Sequence, residues 1–188
     1  MSAFDVLAGR SPIIVTAPHA VRHRRQGRWK YAEPATAELA RGLHSAVGVH
    51  ALIKNDADFS DPNSDESSPF RDAAVELAAR ESVVAGVDLH EMSPSREQAV
   101  ILGTGCGRNI YHRWHIRDIV VEEFSAAGFA VLVDEVFPAM GLNRVSSDVS
   151  RRAGIPYVQL ELNPALIGDV LPGVLRRIVV RLAAEAGF

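Results

Sequence analysis

Apolar positions along the chain fall into short runs bounded by turn residues, alternating with stretches where they recur at helical spacing. Ile13-Ile14-Val15-Thr16-Ala17 predicts a buried strand, stopped by Pro18. From Ala35 to Val47, the residues Leu39, Leu43 and Val47 recur every four positions and predict one apolar helical face. A second strand is expected over His50–Lys54. Asp56–Pro69 follows as a long loop, because its Asp, Ser, Asn and Pro break either period. Phe70–Arg80 predicts a helix with Phe70, Ala74, Leu77 and Ala78 inward. Val83–Leu89, Ala99–Leu102, Phe129–Val133 and Tyr157–Leu162 predict further strands. Two more helices are expected. One spans Arg108–Ala127 and stops at Gly128; the other spans Asp169–Ala186, with Pro172 in its first turn, where a missing N–H is tolerated.

Strands alternating with helices predict a three-layer α/β/α fold, with a mixed, mostly parallel sheet covered on both faces. The 188 residues suit one domain, 1–188, with one core. A hydrophobic content of 47 % with 23 % charged residues is that of an ordinary globular protein, which needs no staples. Cys106 is the only cysteine, which excludes an intrachain disulfide and any multi-cysteine metal site. The first ten residues carry Asp5 and no basic stretch leading into an apolar run, so no signal peptide is expected and a cytoplasmic location is. No window approaches the roughly 20 apolar residues of a membrane helix, so no membrane partner is expected.

A formal charge of −3 gives no global case for nucleic acid, and none is expected as a partner. The exception is local: Arg22-His23-Arg24-Arg25-Gln26-Gly27-Arg28-Trp29-Lys30. This run reads as a solvated loop, or as a loop drawing an anionic substrate to a nearby site. The alternative function it raises is a non-catalytic anion- or nucleic-acid-binding module, with Trp29 available for stacking.

In folds of this class ligands bind beyond the carboxyl ends of the strands. The polar residues that interrupt the pattern fall at those ends: His19 after the first expected strand, His90 after the third, Glu161 near the end of the last. Asp88, His90 and Glu91 close an otherwise apolar strand, a placement that costs several kcal/mol of desolvation unless they are paired or coordinated. Strand alternation puts Asp88 and His90 on one face, and Gln159 and Glu161 together opposite Val158, Leu160 and Leu162. A glutamate there is expected to have a raised pKa unless a cation is near, as a general base requires. Glu33 stands just ahead of a helix, where the dipole alone would explain an acid. Cys106 lacks an evident His–Asn partner for a nucleophile. Its turn, Gly103–Gly107, offers backbone N–H groups to an oxyanion but lacks the lysine of a nucleotide loop. The acids and amides from Asp56 to Glu66 lack EF-hand spacing and read as a solvated loop rimming the site.

The ordered set Pro18-His19, Glu33-Pro-Ala-Thr-Ala-Glu-Leu-Ala, Asp88-Leu-His90 and Gln159-Leu-Glu161-Leu-Asn resembles the N-formylglutamate amidohydrolase-like family. That family is related to the zinc carboxypeptidases and to phage-type poly-γ-glutamate hydrolases, and the resemblance runs from about Ile13 to Pro164. It implies a zinc-exopeptidase (phosphorylase/hydrolase-like) fold and one zinc ion per chain held by His19, Glu33 and His90, with other divalent metals admissible. Two imidazoles and a carboxylate around an open position match a catalytic rather than a structural zinc. Glu161 is then the general base and Asp88 the partner that orients His90. The implied reaction is amide hydrolysis of an N-acyl amino acid such as N-formylglutamate, or of a related γ-glutamyl or short peptide substrate. Ester cleavage and oligomeric state stay open. Arg144 with Asn143 resembles the Asn-Arg pair of relatives, while Arg71 and Arg96 are rival carboxylate-binding arginines. Fourteen positions separate His19 from Glu33, wider than in the carboxypeptidases, so His23 and Asp58 stand as alternative third ligands.

Overall fold

Alternation along the strands decides which side of the sheet each residue serves. Ile13, Val15 and Ala17 join one apolar cluster, while Ile14 between them joins a second cluster on the opposite side. The structure, a computed structural model, describes residues 2–185. Its first half runs β1 (Phe4–Leu7), β2 (Ile13–Ala17), β3 (His23–Arg25), β4 (Arg28–Lys30), α1 (Pro34–Val47), β5 (His50–Lys54) and α2 (Pro69–Arg80). The second half runs β6 (Ala85–Glu91), β7 (Val100–Gly103), α3 (Trp114–Ala126), β8 (Val131–Val133), α4 (Val145–Ala153), β9 (Tyr157–Leu162), α5 (Pro164–Ile167) and α6 (Leu171–Ala184).

Seven strands form one sheet in the order β1-β5-β2-β6-β9-β7-β8. The four central strands β5, β2, β6 and β9 are parallel. β1 and β7 run antiparallel to their inner neighbours, and β8 runs parallel to β7. This is the mixed, mostly parallel α/β sheet expected. Leu43 of α1, Phe124 of α3 and Ile178 of α6 cover one face; Leu77 of α2 with Val145 and Val149 of α4 cover the other.

On the α2/α4 side the central strands begin apolar and end polar. β2 offers Ile14 then Thr16; β6 offers Gly86, Asp88 and His90; β9 offers Tyr157, Gln159 and Glu161. Register lines these up in rows: Thr16 beside Asp88, Asp88 beside Gln159, and His90 beside Glu161. Gly86 makes room for the row below. A Cβ there would lie 2.1 Å from the ring of Tyr157, which is fully buried. The ring occupies that space so that its hydroxyl can donate to Thr16 Oγ1 at 3.2 Å.

Several expected boundaries move. β6 extends to Glu91, so His90 lies within the strand rather than after it. The inward face of α1 centres on Thr36, Ala40 and Leu43, with Leu39 and Val47 packed beside them. The helix expected over Arg108–Ala127 is broken: a 3-10 turn at Arg108–Ile110 precedes α3, and Tyr111 and His112 between them have φ of +52° and +56°. Residues in that left-handed region cannot continue a right-handed helix. The last helix starts at Leu171 after a 3-10 turn, and its expected end at Ala186 lies outside the described residues. The basic run is a two-stranded hairpin rather than a loop. Arg25 pairs with Arg28 across Gln26 and Gly27, whose φ of +51° and +75° are those a two-residue hairpin turn needs.

Gly86→Ala is expected to destabilise the fold by about 1–3 kcal/mol through overpacking against Tyr157. Urea unfolding of the variant beside the parent chain measures it.

Candidate metal centre

Pro18 ends β2 and sets His19 at the sheet's rim. The hairpin then leaves and returns, and Glu33 N–H donates to the His19 carbonyl at 2.9 Å. That bond closes the excursion and brings two residues fourteen positions apart side by side. Glu33 stands at the N-terminus of α1, yet its carboxylate caps nothing there. Oε1 faces His19 Nδ1 at 3.1 Å; Oε2 faces His90 Nδ1 at 3.2 Å and accepts the Glu91 N–H at 3.0 Å.

The far side of each imidazole rests on a second carboxylate. His19 Nε2 lies 2.8 Å from Asp61 Oδ1, and His90 Nε2 lies 3.1 Å from Asp88 Oδ2. Asp88 is fixed from behind, since Thr16 Oγ1 donates to its Oδ1 at 2.7 Å. Asn63 Nδ2 also approaches His90 Nε2, at 2.8 Å, while its Oδ1 accepts the Val145 N–H. The Asn63 amide can only donate there, so it and Asp88 favour opposite tautomers of His90, and a cation at Nδ1 would select the one whose Nε2–H turns to Asp88. With Nε2–H turned to Asp61 and Asp88, both Nδ1 atoms would present lone pairs on the side of the Glu33 carboxylate.

Three electron-rich groups therefore converge, with donor atoms from His19, Glu33 and His90 all within 4.8 Å of one another. Lone pairs facing a carboxylate repel unless positive charge sits between them. The buried set Glu33, Asp61 and Asp88 faces one guanidinium, that of Arg25 on Asp61 at 2.6 Å. One divalent ion would bring this cluster to neutrality, and the donor types fit zinc.

Protons on the two imidazoles are the alternative source of that positive charge. Burial opposes charge on His90, yet Asp88 and Glu33 raise its imidazolium well above the ordinary value. His19 is raised too, against its own burial, by Asp61 and Glu33. Burial alone would lift Glu33 and Asp61, but His90 and His19 hold the first, and His19 and Arg25 the second, far below the usual carboxylate range. The pocket draws positive charge to the place where His19, Glu33 and His90 meet.

These groups line a cleft of about 740 Å³. Glu161 faces into it beside His90 and accepts a hydrogen bond from Gln159 Nε2 at 2.9 Å; burial raises its carboxyl above the ordinary glutamate value. Cations from separate parts of the chain line the same cleft: Arg25, Lys30, Arg96 and Arg144. Arg96 stacks over Phe137 at 4.8 Å, and Arg144 donates to the Asn63 carbonyl at 2.9 Å.

Other expected residues lie elsewhere. Asn143 does not line the cleft; its amide reaches the Ser64 carbonyl. Arg71, expected as a substrate arginine, is buried and committed: to Asp148 at 3.1 Å and to the carbonyls of Pro62, Asn143, Asp65 and Glu66. It fastens the acidic loop to the start of α4. Asp58, an alternative ligand, pairs instead with Lys54 at 2.7 Å. His23 does reach the site, but behind His19: the rings stack with centroids 4.0 Å apart, and burial with the nearby His19 lowers its pKa to about 4. Cys106 is exposed with its thiol against Met140, and the Gly-rich turn spends its backbone donors internally, Thr104 on Asp134 and Gly107 on Thr104 Oγ1. It is no oxyanion cradle. Asp61, Asn63 and Arg25 belong to the centre, and the sequence does not single them out. Asp61 and Asn63 sit among similar acids and amides from Asp56 to Glu66, and nothing local marks which of them fold inward.

No protein-family model matches the sequence, and no curated protein matches it. Solved structures do. An N-formylglutamate amidohydrolase from Ralstonia eutropha JMP134 superposes with a TM-score of 0.67 at 14 % identity, covering 100 % of both chains. A bacteriophage poly-γ-glutamate hydrolase gives 0.62 at 18 % identity, over 98 % of this chain and 90 % of that one. A zinc-free apo structure of YNDL gives 0.61 at 14 %, over 99 % and 92 %. The chain shares their fold. At such identity the likeness establishes the architecture, which is the one the sequence motifs implied.

Arg71→Met removes one partner of a buried pair and frees the acidic loop. It is expected to cost about 3–5 kcal/mol of stability. A denaturant melt reports the loss directly, and a variant as stable as the parent would contradict the structural role given to Arg71.

Proposed function

We propose that the chain is a metal-dependent hydrolase that cleaves an amide bond. Its substrate is a small N-acyl amino acid of the N-formylglutamate kind, or a related γ-glutamyl or short peptide amide. His19, Glu33 and His90 hold one zinc ion, with other divalent metals admissible, and Glu161 is the general base. One observation carries this reading: both buried imidazoles turn Nδ1 to the same carboxylate while each Nε2 rests on another. A carboxylate behind each ligand imidazole is the usual support of a bound metal. It fixes the tautomer and raises the donor strength of the nitrogen turned toward the ion.

When bound, zinc would supply an activated water and polarise the scissile carbonyl. The chain's own residues do the rest. Glu161, raised by burial, takes a proton at its carboxylate and can return it to the departing amine. Arg144 and Arg96 line the cleft and suit a substrate carboxylate. Asp88 orients His90, and Asp61 does the same for His19. The shared fold of the N-formylglutamate amidohydrolase and poly-γ-glutamate hydrolase structures supports the reading. A binding module built on the basic run finds less support. Arg22 and Arg24 lie 4.7 Å over Trp29, and Arg25 points inward to Asp61. No described helix is long and apolar enough to cross a membrane.

Elemental analysis of purified protein is expected to find about one zinc per chain, lost from a His19→Ala, His90→Ala double variant. Metal that survives the double change would refute the ligands. Glu161→Gln is expected to lower hydrolysis of N-formyl-L-glutamate, or of the best substrate in an N-acyl amino acid panel, by about 10²–10⁴-fold with metal content unchanged. Activity requires ionised Glu161, so the rate is expected to fall on the acid side as its carboxylate takes up a proton. A kcat/KM profile with no acid limb there would contradict the base assignment.

A further inference from the structure

The hairpin β3–β4 lies outside the main sheet and spans the interval between two ligand residues, His19 and Glu33. Alternation sends His23 and Arg25 to its inner side, where both help to line the cleft. His23 stacks on the ring of His19. Arg25 Nε donates to Asp61 Oδ2 at 2.6 Å, and its Nη2 lies 3.4 Å from His19 Nε2. The Arg25 side chain keeps 30 % of its surface exposed, whereas that of Asp61 keeps none.

The two ligand imidazoles therefore differ in what stands behind them. Asp88, behind His90, meets only the Thr16 hydroxyl on its other oxygen. Asp61, behind His19, is shared with a guanidinium. A carboxylate behind a ligand imidazole strengthens the donor. A guanidinium on that carboxylate withdraws part of the effect, and its own charge opposes a cation nearby. The other hydrogen bonds of Asp61, from His19 and from the Asn63 N–H, both fall on Oδ1, so Arg25 is the donor that meets its buried Oδ2.

We propose that Arg25 is a positioning residue that weakens the hold of His19 on the metal by competing for Asp61. This leaves a centre with one strong arm, His90 on Asp88, and one restrained arm, His19 on Asp61. The inference rests on the metal-binding reading above. It differs from a purely structural role in sign: a hairpin clip, once cut, would loosen the site and weaken binding. Removing Arg25 is instead expected to tighten it.

Competition with a chromophoric chelator measures zinc affinity in the full chain, with thermal melts of the metal-free proteins alongside. Arg25→Gln is expected to bind zinc about tenfold more tightly than the parent, and Arg25→Met, which keeps an apolar stem, likewise. Arg25→Lys, which restores the charge, is expected to return affinity to within about threefold of the parent. Asp61→Asn is expected to weaken binding about tenfold and to shrink the gain from Arg25→Gln, because the two act through one another. Zinc bound by the parent but no more tightly by Arg25→Gln or Arg25→Met, with melts unchanged, overturns this inference alone. No zinc bound by the parent overturns the metal reading and this inference with it.

Discussion

The Glu33 carboxylate, shared by two imidazoles that each have a carboxylate behind them, is the interaction on which the site depends. Burying these groups together is costly in the absence of compensating charge. The fold compensates in layers. Thr16 and Tyr157 hold Asp88 from below; Arg25 holds Asp61 from the side; the Glu91 N–H holds Glu33 from the strand edge. What is left between the two Nδ1 atoms is a place suited to a divalent cation, and the rest of the cleft is arranged around it.

The sheet explains why those groups can be brought together at all. Four parallel strands end at one rim, and on one face β2, β6 and β9 change from apolar to polar toward their carboxyl ends. Below the change, Ile14, Leu52 and Tyr157 pack against α2 and α4; above it, Asp88 and His90 follow one another along β6, with Glu161 beside His90. Gly86 belongs to the same design, since a side chain there would displace the ring whose hydroxyl steadies Thr16. The wide interval between His19 and Glu33 is resolved by a hairpin whose two ends are tied by one backbone hydrogen bond.

Much of this was legible in the chain. The buried central strands and the face shared by Asp88 and His90 follow from a period of two. His19 and His90 stand out by their place at strand ends, and the family resemblance adds Glu33. What stayed hidden depended on tertiary contacts. Asp61 looks no different from Asp58 in sequence, yet one is sealed behind His19 and the other pairs with Lys54. The break at Tyr111 and His112 carries no glycine or proline to announce it, and the Tyr111 hydroxyl is anchored on the Ser150 carbonyl. α4 turns Val145, Val149 and Ala153 inward, but it buries Ser146, Asp148 and Ser150 as well, which masks the apolar period. Arg71 and Arg144 are indistinguishable by type; one fastens a loop and one lines the cleft.

The most direct test of the account is crystallography at the zinc absorption edge on protein grown with zinc. The account predicts an anomalous peak about 2.0–2.2 Å from His19 Nδ1, His90 Nδ1 and a Glu33 oxygen, with each Nε2 still on its carboxylate. A peak held instead through the Nε2 atoms of His19 and His23, or no peak at a site with those side chains in place, would contradict it.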